Sequence, residues 1–257
     1  GRWHGAPIPA EEVERFRDAS AAGGLAGRCF AHAPYLLNLA SPDPALRQRS
    51  TEVLAEELTQ AGRLGLAGLV LHPGSATGSA RRDAEKRCRR AIGDALAAAG
   101  PDAAPLLLEG SAGAGGQLGR TPAELARLVP RGGRDRVGVC LDTAHLWAAG
   151  VNLLGDGFEL VMAELAACWG RSGPELLHGN DSKATCGSHR DRHAVPGEGA
   201  LGETFYRRLL ADPRLAGVPV VLEIPPGAGN ANVRRALKLL RGWTDGAGEV
   251  GRRRPRR

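Results

Sequence analysis

Apolar residues recur along this chain with two alternating periods. From Pro9 to Ala22 they fall at helical spacing through Val13, Phe16 and Ala19, and Leu25 to His32 then reads as a buried strand that ends in a histidine. Ser41 to Leu64 returns to the helical period through Leu46, Val53, Leu54, Leu58 and Ala61, and Ala67 to His72 is a second apolar run closing on a histidine. Ala80 to Ala99 is helical through Ala84, Cys88, Ala91, Ile92, Ala95 and Leu96. Ala104 to Glu109 and Arg136 to Asp142 read as strands, each closing on a carboxylate, with a helix-start signal at Thr121, Pro122 and Glu124 between them. Helices follow over Gly157 to Trp169, around Phe205 to Leu210 and from Asn230 to Trp243, interleaved with strands over Glu175 to Asp181 and Val218 to Glu223.

Strands that alternate with helices pair in parallel through right-handed crossovers, so the pattern predicts an α/β sheet or a TIM-type (β/α) barrel. The strands are continuous apolar runs, as strands covered on both faces are. All six end in, or lead into, a His, Asp or Glu. In a barrel the C-terminal strand ends converge on one face, where function is built. The candidates there are His32, His72, Glu109, Asp142, His145, His178, Asp191, His193 and Glu223. Taken singly, a strand-end histidine is a hydrogen-bonded rim residue and a strand-end carboxylate caps a helix; nine together exceed what one ion can use and suit two or three. The stretch Leu177 to Gly202 concentrates them, with Asp181, Lys183, His189 and Glu198 among glycines. Imidazole and carboxylate at such spacing suit zinc, and clusters of this kind perform in-line displacement at phosphorus. Gly113, Gly115 and Gly116 resemble a phosphate cradle, which alone is a weak signal.

Composition narrows the classes. With 257 residues, 42% of them hydrophobic, the chain can bury a sizeable core, and its net charge of +6 slightly favours a polyanionic partner. Five scattered cysteines without a CxxC pair argue against a disulfide framework and for a reducing, intracellular setting. No apolar run is long enough for a membrane span and no signal peptide stands at the start, so the chain reads as neither secreted nor membrane-bound.

The segments HAPYLLNLASP from His32, LHPGS from Leu71, LEGSAGAGGQLG from Leu108, VGVCLDTAHLWAAG from Val137, HGNDSKATCGSHRDRHAVPGEGALG from His178 and VLEIPP from Val221 resemble the endonuclease IV family of trinuclear-zinc apurinic/apyrimidinic endonucleases. The likeness runs from about Trp3 to Trp243, with the motifs in the family's order. It implies a barrel related to the sugar isomerases, acting on double-stranded DNA with abasic sites as a monomer. It also implies three zinc ions: one on His32, His72 and Glu109, a second shared through Glu109 with Asp142, His178 and Glu223, and a third on His145, Asp191 and His193. Glu109, Glu223 and His178 then stand at the catalytic centre, where a hydroxide cleaves 5′ of the lesion and leaves a 3′-hydroxyl and a 5′-deoxyribose phosphate. Tyr35 and Leu36 match the family's wedge into the base stack, although Tyr-Leu-Leu after a strand also begins a core-packed helix. Arg2, Lys183 and Arg192 are the further DNA-contact candidates; arginines beside a metal-site Asp can equally orient it.

The family has two strand-helix units before the point where this chain starts, so residues 1–245 read as a partial, N-terminally truncated barrel of six strands, followed by a disordered basic tail over 246–257. Gly110, Ala114 and Gly179 stand where the family has bulkier or polar residues. Two other readings share the pattern: a sugar isomerase or epimerase on the same barrel, against which five histidines among the donors count, and an inactive DNA-binding relative.

Overall fold

The computed structural model describes residues 7–250, with side chains to residue 244. The chain divides into two compact units, Gly1–Cys140 and Leu141–Arg257, and the boundary falls inside a strand.

The first unit holds α1 (Ala10–Ala22), β1 (Phe30–His32), α2 (Pro44–Leu64), β2 (Gly68–Leu71), α3 (Arg81–Ala99), β3 (Leu106–Glu109), α4 (Pro122–Ala126) and the start of β4 (Val137–Asp142). β1 to β4 are neighbours in chain order and all parallel, with His32 level with Val70, Leu71 with Leu108 and Glu109 with Cys140. Every residue of β2 and β3 is buried, which is why their sequences show no polar alternation. α2 begins where Asp43 accepts from the Ala45 and Leu46 amides with Pro44 in the first turn, and it ends at Gly65 in the left-handed conformation. It buries Val53, Leu54, Leu58 and Ala61, and α3 buries Ala84, Cys88, Ala91, Ile92, Ala95 and Leu96. Gly62 is required by close approach, since a Cβ there would lie 2.3 Å from the Asp102 carbonyl oxygen.

β1 is shorter than the run Leu25 to His32 suggests. Gly24 and Gly27 have φ of 68° and 67°, and the Arg28 amide donates to Leu25 O at 2.9 Å, so this stretch turns and leaves Leu25 exposed. Strand pairing starts only at Phe30.

The second unit holds the end of β4, α5 (Thr143–Ala148), α6 (Gly157–Trp169), β5 (Leu176–His178), β6 (Asp181–Ser182), β7 (His193–Ala194), α7 (Gly202–Leu210), β8 (Val220–Val221) and α8 (Ala231–Val250). β5 and β8 are parallel, and β6 and β7 form an antiparallel pair that places Ser182 opposite His193. Tyr206 is fully buried, stacks on Trp243 at 6.1 Å and brings its hydroxyl within 3.3 Å of Thr143 Oγ1. β8 covers only Val220 and Val221 of the expected Val218 to Glu223. Pro219 has no N–H to give a ladder, and the Glu223 amide donates instead to Asn180 Oδ1 at 2.8 Å. α8 continues past the expected end at Trp243 to Val250; residues 251–257 of the expected tail, and Arg2, lie outside the described residues. Among the described residues no helix is long and apolar enough to cross a membrane.

Candidate metal-binding groups

Parallel strands in register end on the same side, and in the first unit this places three of the candidate donors together. His32 closes β1, His72 follows β2 and Glu109 closes β3. His32 Nε2 lies 3.0 Å and His72 Nε2 3.3 Å from Glu109 Oε2, with the two rings 5.2 Å apart. One ligand atom from each residue lies within 4.8 Å of the others. The Glu109 carboxylate is fully buried. His32 Nδ1 sits 2.8 Å from Ala33 O, so the proton belongs on Nδ1 and the Nε2 lone pair faces the carboxylate. Lone pair against carboxylate is repulsive unless a proton or another cation lies between them.

In the second unit the organiser is Asp142. At the end of β4 it caps α5, with Oδ1 accepting from the His145 amide at 2.9 Å, while Oδ2 accepts from Asn180 Nδ2 at 2.6 Å. Around Oδ2 stand His193 Nε2 at 3.6 Å, His145 Nδ1 at 3.9 Å and His178 Nδ1 at 3.9 Å. His178, closing β5, also meets Glu223 Oε2 at 3.0 Å. Asp191 sets one oxygen 3.3 Å from His145 Nε2 and the other 3.0 Å from His193 Nε2. Asp142, His145 and His193 each bring a ligand atom within 4.8 Å of the others.

His193 is the donor most clearly poised for a cation. Its Nδ1 faces Glu223 O at 2.7 Å, which directs Nε2 toward the two aspartates, and that Nε2 is buried without a well-aligned hydrogen bond. Burial opposes charge on this ring, yet the Asp191 and Asp142 carboxylates and the Glu223 carbonyl outweigh it and raise its pKa to about 9. Contacts with His145 and His193 outweigh burial at Asp191 and hold its carboxyl well below the usual carboxylate range. Imidazole and carboxylate donors converging in this way fit a borderline metal such as zinc, and the carbonyls behind His32 and His193 fix the tautomers a ligand needs.

Two residues hold this region: Asn180, which sequence reading passed over, and Asp181, which it placed in the donor-rich stretch. Asn180 ties Asp142 to the Glu223 backbone, with its own carbonyl fixed by Thr143 Oγ1 at 2.7 Å. Asp181 stands in the metal-rich stretch but turns away from the cluster: its carboxylate accepts from the amides of Ser182, Gly197, Gly199, Leu201 and Gly202. The visible signal was the run of glycines at 197, 199 and 202, which supplies amides able to crowd one anion.

Of the DNA-contact candidates, Tyr35 is 80% exposed and Leu36 is 47% exposed. With Asn38, His72, Ser75 and Gln117 they line a cleft of about 180 Å³. Lys183 and Arg192 are exposed; the Lys183 amide donates to Arg192 O, and the Arg192 guanidinium turns back onto Asp191 O at 2.6 Å. Trp147 and Trp169 are buried.

The strand-end placement of these donors on parallel βα units defines the class, and residues 1–243 match the xylose isomerase-like TIM barrel family. The chain is 40% identical over 242 residues to "Probable endonuclease 4" of Nitratidesulfovibrio vulgaris (strain DP4), covering 93% of this chain and 85% of that protein. The crystal structure of endonuclease IV from Thermus thermophilus superposes with a TM-score of 0.81 at 33% identity, covering 95% of this chain and 86% of that one. A D-tagatose 3-epimerase-like protein superposes at 0.74 with 18% identity, covering 96% and 88%, a likeness of fold alone. The chain belongs to the endonuclease IV family.

Proposed function

We propose that the chain is a zinc-dependent hydrolase that cleaves the DNA phosphodiester 5′ of an abasic site, leaving a 3′-hydroxyl and a 5′-deoxyribose phosphate. The observation that carries this reading is the facing of imidazole nitrogens and carboxylates in both units, above all the buried His193 Nε2 between Asp142 and Asp191. His32, His72 and Glu109 hold one zinc, Asp142, His178 and Glu223 a second, and His145, Asp191 and His193 a third. Bound zinc supplies neutralisation of charge on the phosphate and a lowered pKa for water.

The chain's own residues set up that chemistry. Ala33 O and Glu223 O keep the protons of His32 and His193 on Nδ1, leaving Nε2 to coordinate. Asn180 fixes the direction of Asp142 Oδ2 through a 2.6 Å hydrogen bond. Glu109 in the first unit and His178 and Glu223 in the second are assigned the catalytic roles that the family resemblance implies. Exposed Tyr35 and Leu36 fill the gap left by the missing base, and Lys183 and Arg192, with Arg2, hold backbone phosphates.

Metal analysis of the purified protein and nicking of a duplex with one abasic analogue test the reading together. About three zinc ions per chain, chelator-sensitive cleavage and an end that a polymerase extends are the expected results. Binding without nicking at full zinc occupancy would instead mark an inactive DNA-binding relative, and zinc-free turnover of a ketose would mark a sugar epimerase.

A further inference from the structure

In the first unit, the first turns of α2 and the middle turns of α3 border a groove of about 370 Å³ whose polar lining is Arg47, Gln48, Thr51, Arg87, Arg90 and Asp94. Three guanidinium groups there face one carboxylate. Two of them are anchored without an ion pair among the described residues. Arg47 Nη1 donates to Ser41 O at 2.6 Å, and Arg87 donates to Ala40 O at 3.0 Å and to Ser79 Oγ at 2.5 Å, all uncharged acceptors. Among the described residues Arg90 makes a long contact, 3.9 Å, with Asp94, and both side chains are largely in solvent, so that pair is weak. Glu52, the next acid along α2, is engaged by Gln48 at 2.7 Å, and Asp43 is engaged in capping the helix.

The anchors also locate the groove. Ala40 and Ser41 stand near the end of the loop that leaves β1, carries Tyr35 and Leu36 and leads into α2. The groove therefore borders the loop between β1 and α2. From Pro44 to Thr51 it follows roughly 10 Å of helix, longer than one small anion needs. Guanidinium forks pair with phosphate oxygens in two-point geometry, and held arginines lose little freedom when they do so.

We infer that this groove between α2 and α3 binds the sugar-phosphate backbone of duplex DNA flanking the site, with Arg47, Arg87 and Arg90 as the phosphate-binding residues. The inference rests on the DNA reading only for the identity of the polyanion. Its measurable signature is salt dependence, because each neutralised phosphate releases counterions and adds about 0.9 to the slope of log K against log salt.

The test compares equilibrium binding of a long and a short duplex, the short one just covering the lesion, by wild type, Arg90→Ala and Arg47→Gln/Arg90→Ala. Arg15→Ala on α1 serves as a charge-matched control, and thermal unfolding checks that each variant is folded; Arg90→Ala removes an exposed side chain and keeps the test open if the double variant unfolds. On the long duplex the expected slope is shallower by about 0.9 for each phosphate no longer neutralised, with little change on the short duplex or in the control. An unchanged slope, or an equal change in Arg15→Ala, would overturn the inference. So would protection by inorganic phosphate alone with no effect on the long duplex, which would mark a small-anion site. Loss of slope in a protein that never nicks abasic DNA would leave the groove standing and remove the proposed reaction; normal nicking with an unchanged slope would do the reverse.

Discussion

Asp181 offers the sharpest separation between a metal ligand and a structural anion. Its Oδ1 accepts from the Ser182 amide at 2.7 Å and the Leu201 amide at 2.9 Å, and its Oδ2 from Gly197 and Gly199 at 3.0 Å and Gly202 at 3.2 Å. The side chain is fully buried. Asp181→Asn replaces one oxygen with a donor, so in the better orientation two of these amides face an NH2 group. A buried donor left without its acceptor costs about 1–3 kcal/mol, which puts the substitution at about 2–6 kcal/mol. Asp181→Ala strips all five amides and is expected to exceed much of a domain's stability of about 5–15 kcal/mol. Gly199→Ala attacks the same point sterically, since its Cβ would lie 2.4 Å from Asp181 Oδ1. Urea denaturation in the presence of chelator measures the effect free of metal linkage. If metal-free Asp181→Asn unfolds within about 1 kcal/mol of wild type while losing bound zinc, Asp181 is a ligand rather than a structural anion, because about 1 kcal/mol is the lowest cost that a single orphaned amide should incur.

Three other residues give predictions of their own. In the metal-free protein the His193 pKa is raised from 6.5 to about 9, so its ion pairing stabilises fully below about 6.5 and is lost as pH rises through about 9. A zinc ion held by His193 would have to displace that proton, so calorimetry in buffers of different ionisation enthalpy should show proton release at about pH 7 that disappears near pH 10; equal proton release at both would contradict the assignment. At Glu124, burial would raise the carboxyl pKa, but Arg120 and Arg81 hold it low, so its contribution is present at neutral pH and fades as pH falls through the lowered value. Glu124→Gln, which weakens the link between α3 and α4, should cost about 1–3 kcal/mol at neutral pH in urea unfolding and less in acid. Tyr35→Ala should leave stability unchanged, because the ring is 80% exposed, yet weaken abasic-duplex binding by about 1–3 kcal/mol, read by fluorescence anisotropy; an unaltered affinity would assign the ring no role in DNA contact.

Much of the fold and of the candidate site is legible in the linear chain. Helical and strand periods locate α2, α3, α6 and the buried strands β2 to β4 to within a few residues, because those elements bury continuous apolar faces. The elements that escape or shrink depend on local hydrogen bonding instead. α5 is six residues long and starts because Asp142 caps it, and the β6 and β7 pair has two residues on each side, too short to show a period. β1 loses its first half to the turns at Gly24 and Gly27, and β8 is interrupted where the Glu223 amide turns to Asn180.

The sequence by itself determined the order of the longer strands and helices and the chemical type of every candidate donor, with His32, His72, Glu109, Asp142 and His178 at or just past strand ends, since periodicity and residue identity are properties of the linear chain. Only the tertiary structure decided which way each donor faces. Asp142 and Asp181 are both acids at strand positions, yet one gathers imidazoles and the other gathers backbone amides. A carboxylate takes whichever positive partners surround it in space, and no spacing along a chain records that.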